Sequence, residues 1–276
     1  MNATTQSPEK TSNPGILLAM TTPSAAPDGM AAAAAPAPAK KAKSSEHSWT
    51  GVYIGGNIGG ANGNADTSVN PLPSATTFVN LLPTTLKPSP SGVVFGGQIG
   101  FNWQTGRWVL GTEFSFGSAN IDGTKAITPI IQNNGTPFPG VPTSPGNNGI
   151  TVHEDVSSIG TLAPRVGYAV YPRLLVYGTG GLAFGHASYF ANTDFRPVGT
   201  EQYPAFLKKG KQGWVGGGGV EYAFQGRWSV RGQYLAYELG DESIVANPVP
   251  PLPPFGIAYK WNTSGQMYNF GLNFKF

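Results

Sequence analysis

Three histidines and the hydroxyl and carboxyl groups near them are the residues of this chain that could carry catalytic chemistry. His186 lies two residues before Ser188, and His153 lies four residues before Ser157. Either pair could supply a general base and a hydroxyl nucleophile for hydrolysis. No third group that would orient the imidazole is indicated by the sequence. We therefore interpret both pairs as surface residues, and we predict no catalytic residue.

Metal and phosphate binding are the other chemistries to consider. His153, Glu154 and Asp155 are consecutive, and neighbouring residues of an extended segment point to opposite sides, so these three side chains are not expected to converge on a metal ion. The chain has no Cys, which excludes disulfides and thiolate metal sites. The glycine runs at 178–181 and 216–219 are not followed by a helix start, unlike phosphate loops. We predict no metal site and no cofactor.

The elements that position these residues follow from the composition. The 276 residues include 39 Gly and 25 Pro, and only 11% are charged, which is about half of the usual share. A formal net charge of +3 is too small to indicate a nucleic-acid partner. No window holds about 18 consecutive apolar residues, so no transmembrane helix is predicted.

Large apolar side chains alternate with small or polar ones from Trp49 onward, which is the period of a β-strand. Glycines are frequent within these segments, whereas Pro164 is their only proline, as expected where strand N–H groups must be paired. The pattern predicts eight strands, at residues 49–60, 92–103, 108–117, 156–169, 173–186, 212–223, 228–239 and 266–276.

The connections alternate between tight turns and long segments. Turns are predicted at 104–107, 170–172 and 225–227, and long loops rich in Pro and Asn at 61–91, 118–155, 187–211 and 240–265. Short turns at one end and long loops at the other are typical of outer-membrane barrels. We therefore predict an all-β fold, an eight-stranded antiparallel up-and-down transmembrane β-barrel with short periplasmic turns and long extracellular loops.

The distribution of charge indicates which face of each strand points inward. The small and polar face carries too little charge for a water-exposed surface, whereas the apolar face has no mid-strand charge, as lipid requires. The main mid-strand charges on the small face are Glu113, Arg165, Glu221 and Arg231. An eight-stranded lumen is just wide enough for side chains to fill it, so these four are predicted to form ion pairs that plug it.

Several segments resemble one protein family. They are Trp49-Thr50-Gly51-Val52-Tyr53-Ile54-Gly55-Gly56, Gly96-Gly97-Gln98-Ile99-Gly100-Phe101-Asn102-Trp103, Pro164-Arg165-Val166-Gly167-Tyr168, Gly216-Gly217-Gly218-Gly219-Val220-Glu221-Tyr222, and Asn269-Phe270-Gly271-Leu272-Asn273-Phe274-Lys275-Phe276. In this order they resemble strands of the Gram-negative outer-membrane immunogenic-protein, or opacity-type porin, family. The resemblance implies that the terminal Phe276 is the assembly signal read by the barrel-insertion machinery.

The expected function is that of a surface protein of the Gram-negative outer membrane, which contributes to envelope integrity and is not an enzyme. Expected partners are outer-membrane lipid, the insertion machinery, and host or environmental ligands bound through the loops. A narrow porin or a receptor for a small, haem-like ligand is the alternative, with five loop aromatics as candidate contacts: Tyr189, Phe190, Phe195, Tyr203 and Phe206. A lipid hydrolase at the rim is the least favoured interpretation.

Two domains are predicted. Residues 1–48 are rich in Ala, Pro and Lys and are interpreted as a leader and linker, disordered or partly cleaved, and residues 49–276 as the barrel. An apolar run at 15–20 and the alanines after Met30 are compatible with secretion processing, although a basic start is missing. The cleavage position is left open.

Overall fold

The computed structural model describes residues 47–72, 85–128, 149–196, 201–249 and 256–276. The predicted leader and linker, residues 1–48, lies outside the described residues except for His47 and Ser48. None of the described residues forms a helix long and apolar enough to cross a membrane.

The described residues form one antiparallel sheet. Its strands are β1 (Gly51–Pro71), β2 (Thr85–Leu86), β3 (Ser91–Thr105), β4 (Trp108–Ile127), β5 (Gly149–Tyr171), β6 (Leu174–Asp194), β7 (Gln202–Gln225), β8 (Trp228–Ala246) and β9 (Ile257–Lys275). The order is β2-β1-β3-β4-β5-β6-β7-β8-β9, and β1 also pairs with β9 from Tyr53↔Lys275 to Pro71↔Ile257. This last pairing closes eight long strands into a ring, which confirms the predicted barrel.

The short turns lie between β3 and β4, between β5 and β6, and between β7 and β8, as predicted. Each leaves two residues between its strands. Gly106 and Gly226 are the first residues of two of these turns and have φ angles of 60° and 52°, which glycine adopts without steric cost.

The strands extend well into the segments that were predicted to be long loops, which corrects the predicted bounds. For example, β6 continues to Asp194 and β7 begins at Gln202, inside the predicted loop 187–211. The reason is that the inward face keeps its alternation of buried residues, whereas the outward face changes from mainly apolar to mainly polar. A polar outward face looks like loop sequence, although the backbone remains paired.

The change on the outward face defines an apolar band next to the short turns. On β1 the outward residues Ile54 and Ile58 are followed by Asn62, Asn64 and Asp66. On β5 the band ends at Gly160, and beyond it Asp155 and His153 face outward. Residues beyond the band lie in an extension of the barrel on the long-loop side, outside the membrane-spanning part of the strands.

Aromatic residues border the band, as is typical of membrane barrels. The outward and exposed aromatics beside the short turns include Trp103, Trp108, Tyr168, Tyr222 and Trp228. Trp214 and Tyr268 are exposed at the other border, and Phe184 is half-buried there. Amphipathic rings favour the membrane interface, so the two borders mark the expected headgroup regions.

Candidate functional site

The structure brings together the four charged residues predicted to face the lumen. Arg231 Nη1 on β8 donates hydrogen bonds to Glu113 Oε1 (2.6 Å) and Oε2 (2.5 Å) on β4, which is on the opposite wall of the ring. Arg165 Nη1 lies 3.3 Å from Glu221 Oε2 and 3.7 Å from Glu113 Oε2. All four side chains are buried. We call these residues and their hydrogen-bond partners the lumen network.

The pairing across the lumen differs from the pairing in the sheet. Glu221 and Arg231 are direct cross-strand neighbours on β7 and β8, yet Arg231 bonds to Glu113 across the interior. Glu221 instead accepts hydrogen bonds at Oε1 from the Ser229 hydroxyl (2.5 Å) and the Asn273 amide (2.9 Å). The network therefore joins opposite walls of the barrel.

Uncharged side chains complete the lumen network, and the search for charged residues missed them. The Tyr53 hydroxyl donates to Glu113 Oε2 (2.6 Å), and Arg165 Nε donates to Asn102 Oδ1 (2.8 Å). The Arg165 guanidinium also lies over the rings of Tyr53 and Tyr177, 4.8 Å and 5.0 Å from their centroids. Tyr53, Asn102 and Tyr177 alternate with the outward residues of their strands, and this inward position is the sequence signal that could have identified them.

Apolar side chains pack on both sides of the lumen network. Trp49 is buried with Val109, Leu175 and Tyr177 at the short-turn end. On the other side is a larger buried cluster that includes Val94, Ile159, Leu235 and Met267. A cavity of about 20 Å³ separates Arg231 from this cluster and is lined by residues such as Thr161 and Asn269. Such a space has room for about one water molecule.

A second polar group lies inside the extension, and we call it the outer cluster: Glu154, Tyr189, Thr263 and Trp261. Thr263 Oγ1 donates to Glu154 Oε1 (2.7 Å) and lies 2.6 Å from the Tyr189 hydroxyl. The Tyr189 ring packs against Trp261, with centroids 5.3 Å apart. Glu154 is only 1% exposed, and its Oε2 has no hydrogen-bond partner in the described structure.

The surroundings of Glu154 in the outer cluster make it a weaker acid than an exposed glutamate. Burial raises the pKa of Glu154 to about 7, although the Thr263 hydrogen bond and the charge of Lys211 oppose the rise. Lys211 itself is paired elsewhere, because its Nζ lies 3.3 Å from Glu242 Oε1 and 3.2 Å from the Gly240 carbonyl oxygen. The outer cluster was missed because its residues fall in segments predicted to be loops.

The two histidine–serine pairs considered as candidate nucleophile pairs do not form. His186 Nδ1 lies 3.2 Å from Ser158 Oγ rather than beside Ser188, and His153 Nδ1 lies 2.8 Å from Thr124 Oγ1 rather than beside Ser157. Both contacts are exposed. Glu154 faces the interior whereas His153 and Asp155 face outward, and no group of three metal-binding side chains occurs in the described part of the chain.

The five candidate ligand-contacting aromatics do not form a single surface, which corrects the prediction. Tyr189 and Tyr203 lie inside the barrel, 0% and 1% exposed, and Phe195 packs edge-on to Tyr203. Phe190 and Phe206 face outward as cross-strand neighbours. Alternation along β6 and β7 separates four of them, because these four are in strands rather than in a loop, and Phe195 directly follows β6.

The predicted assembly residue Phe276 follows the last strand. Its N–H donates to the Val52 carbonyl (3.0 Å), which extends the closing pair of strands by one residue. Its ring faces outward and packs edge-on against Phe274, with centroids 5.4 Å apart. Its role in assembly stays a prediction.

Comparison with known proteins decides the family. The model of the family described as "Outer membrane protein beta-barrel domain" matches residues 29–276. The chain belongs to this family. Its location is accordingly the outer membrane of a Gram-negative bacterium.

Individual proteins of known sequence or structure also resemble this chain. The chain is 32% identical over 204 residues to the 31 kDa outer-membrane immunogenic protein of Brucella melitensis biotype 1, covering 72% of this chain and 74% of the relative. The protein of the same name in Brucella suis biovar 1 matches equally. Among solved structures, the outer membrane protein OprG from Pseudomonas aeruginosa is 12% identical, with 84% of this chain and 98% of that chain covered and a TM-score of 0.48.

Proposed function

We propose that this outer-membrane barrel is a closed, non-enzymatic surface protein that contributes to envelope integrity, with its lumen plugged by side chains. The observation that carries the proposal is the lumen network, in which Arg231 and Glu113 bond across the full width of the barrel. Apolar packing above and below it, with space for about one water molecule, leaves little volume for a conducting path.

A role at the surface is supported by the extension and the relatives. On β1 and β9 the outward residues of the extension are mainly polar, so this part of the barrel is suited to water beyond the lipid. The Brucella relatives are described as outer-membrane immunogenic proteins. We infer that the loops and the extension are the parts that environmental partners meet.

The experiment is a deletion of the gene, complemented with the wild type or with the variant Arg231→Ala. We expect the deletion strain to become more permeable to a dye that the envelope normally excludes, and the wild type to restore exclusion. The Arg231→Ala variant should restore it less well at equal levels of folded protein. Unchanged permeability in the deletion strain would contradict the role in envelope integrity.

Binding of a small apolar ligand is a second candidate function. One observation favours it: Phe206 is 66% exposed beside Phe190 on the outward face of the extension. Haem, used as the probe, should raise the unfolding temperature of the wild type but not that of Phe206→Ser. Equal shifts in the two proteins, or none in either, would remove this candidate.

A further inference from the structure

The three short turns share one feature that the barrel itself does not require. The second residue of each turn is an arginine: Arg107, Arg173 and Arg227. All three are exposed. Their carbonyl oxygens accept hydrogen bonds from the N–H groups of Ala169 (2.7 Å), Ala223 (2.9 Å) and Lys275 (2.9 Å) in the adjacent strands. The backbone thus holds the three arginine-bearing turns around one rim, which we call the arginine rim.

Among the described residues, the arginine rim has no acidic side chain beside it. Each described Asp and Glu lies either inside the barrel, as Glu113, Glu154 and Glu221 do, or in the extension and its connections. Lys275 is the other basic side chain at this end, and the described part of the rim holds no Asp or Glu. The long-loop end, by contrast, mixes both signs and forms surface ion pairs such as Lys260–Asp241 and Lys209–Glu242.

The position of the arginine rim relative to the lipid is set by the residues that follow. Arg107, Arg173 and Arg227 directly precede Trp108, Leu174 and Trp228, which begin the apolar band. Tryptophan at a band border marks the headgroup depth. A guanidinium one residue beyond it lies where phospholipid phosphates are, and its planar donors can bind phosphate in bidentate fashion.

A shallow, open groove on the outer wall reaches Trp228, the residue after Arg227. Its volume is about 920 Å³. Its lining is mainly apolar and includes Ile58, Phe95, Phe270 and Leu272, and Gly56 contributes no side chain to its floor. Trp228 and Phe274 line its short-turn end, beside Arg227 and Lys275.

We propose that the arginine rim selects anionic phospholipid of the periplasmic leaflet, with its strongest site at Arg227, where the groove receives an acyl chain. The proposal rests on the outer-membrane location and not on the proposed function. Each arginine is expected to strengthen binding to an anionic surface about fivefold. Selectivity should weaken at high salt, because exposed charges are screened.

The test uses the full chain folded in detergent, with tryptophan fluorescence quenched by brominated phosphatidylglycerol or brominated phosphatidylcholine. Trp108 and Trp228 border the arginine rim, so bound lipid quenches them directly. We expect several-fold preference for phosphatidylglycerol in the wild type. The preference should be lost in the triple variant Arg107→Gln, Arg173→Gln, Arg227→Gln, and Arg227→Gln should cause the largest single loss.

The matched control removes three exposed lysines at the other end: Lys87→Gln, Lys208→Gln and Lys260→Gln. It should keep the preference. Loss of preference in the control, retention in the arginine variant, or no preference in the wild type would overturn the proposal. Displacement of the lipid by inorganic phosphate would show a free-anion site and would overturn it too. If the triple variant does not fold, the salt dependence and Arg227→Gln alone decide.

Discussion

The lumen network and the outer cluster each bury a carboxyl group in the same barrel, but they surround it with very different numbers of hydrogen-bond and charge partners. Glu113 accepts three hydrogen bonds from Arg231 and Tyr53, with Arg165 3.7 Å away. Glu154 has one hydroxyl partner, one oxygen without a hydrogen bond and a pKa of about 7. The difference shows that the network inside the apolar band is built to hold charge, whereas the outer cluster favours a neutral carboxyl group.

The largest effect is expected for Arg231→Met. The change removes both N–H bonds to Glu113 and leaves a buried carboxylate with a weaker partner, which costs about 3–5 kcal/mol. Denaturant-dependent unfolding in lipid or detergent measures the loss, with the heat-dependent gel mobility of the folded band as a second readout. Adding Glu113→Gln should recover part of it, because no uncompensated charge remains. Equal losses in the single and double variants would contradict this account of Glu113.

Glu154→Gln should abolish a dependence of the folding stability on pH that comes from the buried carboxyl group of the outer cluster. The ordinary pKa of Glu154 is 4.5 and the folded value is about 7, so between these values the unfolded chain releases a proton that the folded chain keeps. Stability should therefore fall as pH rises through this window, by on the order of 3 kcal/mol. The variant should lack this fall and be the more stable protein above about pH 7.

Glu242→Gln is the control for this pH effect. Hydrogen bonds from Lys209 and Lys211 lower the pKa of Glu242 against the opposing effect of burial, so its contribution is present at neutral pH and lost in acid. Its removal should therefore lower stability at neutral pH and not below the folded pKa. Parallel pH profiles for Glu154→Gln and the wild type would contradict the assignment of the effect to Glu154.

Removal of single hydroxyl groups compares the two sites more finely. Tyr53→Phe deletes a hydrogen bond to a charged carboxylate, about 1.5–3 kcal/mol, whereas Thr263→Val deletes bonds to a neutral carboxyl group at acid pH and to the Tyr189 hydroxyl, each about 0.5–1.5 kcal/mol. Unfolding at acid pH measures both. A larger loss for Thr263→Val would reverse the comparison.

The smallest effect is expected for Lys260→Met, which makes the same kind of change as Arg231→Met on the outer surface. Lys260 Nζ lies 2.6 Å from Asp241 Oδ2, but both side chains are about half exposed. An exposed pair of this kind contributes about 0–1 kcal/mol. A loss as large as that of Arg231→Met would mean that burial does not govern these ion pairs.

Residue patterns predict the barrel and the members of its lumen network more readily than their contacts. Alternation gave the strands and the inward parity of Glu113 and Arg231. It could not give their bond, because partners on opposite walls depend on the diameter and the stagger of the ring. Sheet pairing alone would favour the cross-strand neighbour Glu221 as the partner of Arg231. In the structure, Arg231 instead bonds to Glu113.

The extension that contains the outer cluster shows a different limit. Beyond the apolar band, the polar residues Asn62, Asn64 and Asp66 give β1 the composition of a loop. The inward residues Ala61 and Ala65 are too small to indicate a buried face from the sequence. Pairing with β9 keeps this segment extended. Non-local pairing of this kind overrides the local preference of polar residues.

The central proposal is that the lumen network closes the barrel, and ion conductance across a planar bilayer tests it most directly. Wild-type protein, inserted and shown to be folded by its gel mobility, should pass no sustained current. Arg231→Ala removes the side chain that spans the interior to Glu113 and should introduce a measurable current. A large, steady conductance in the wild type that Arg231→Ala leaves unchanged would contradict the proposal.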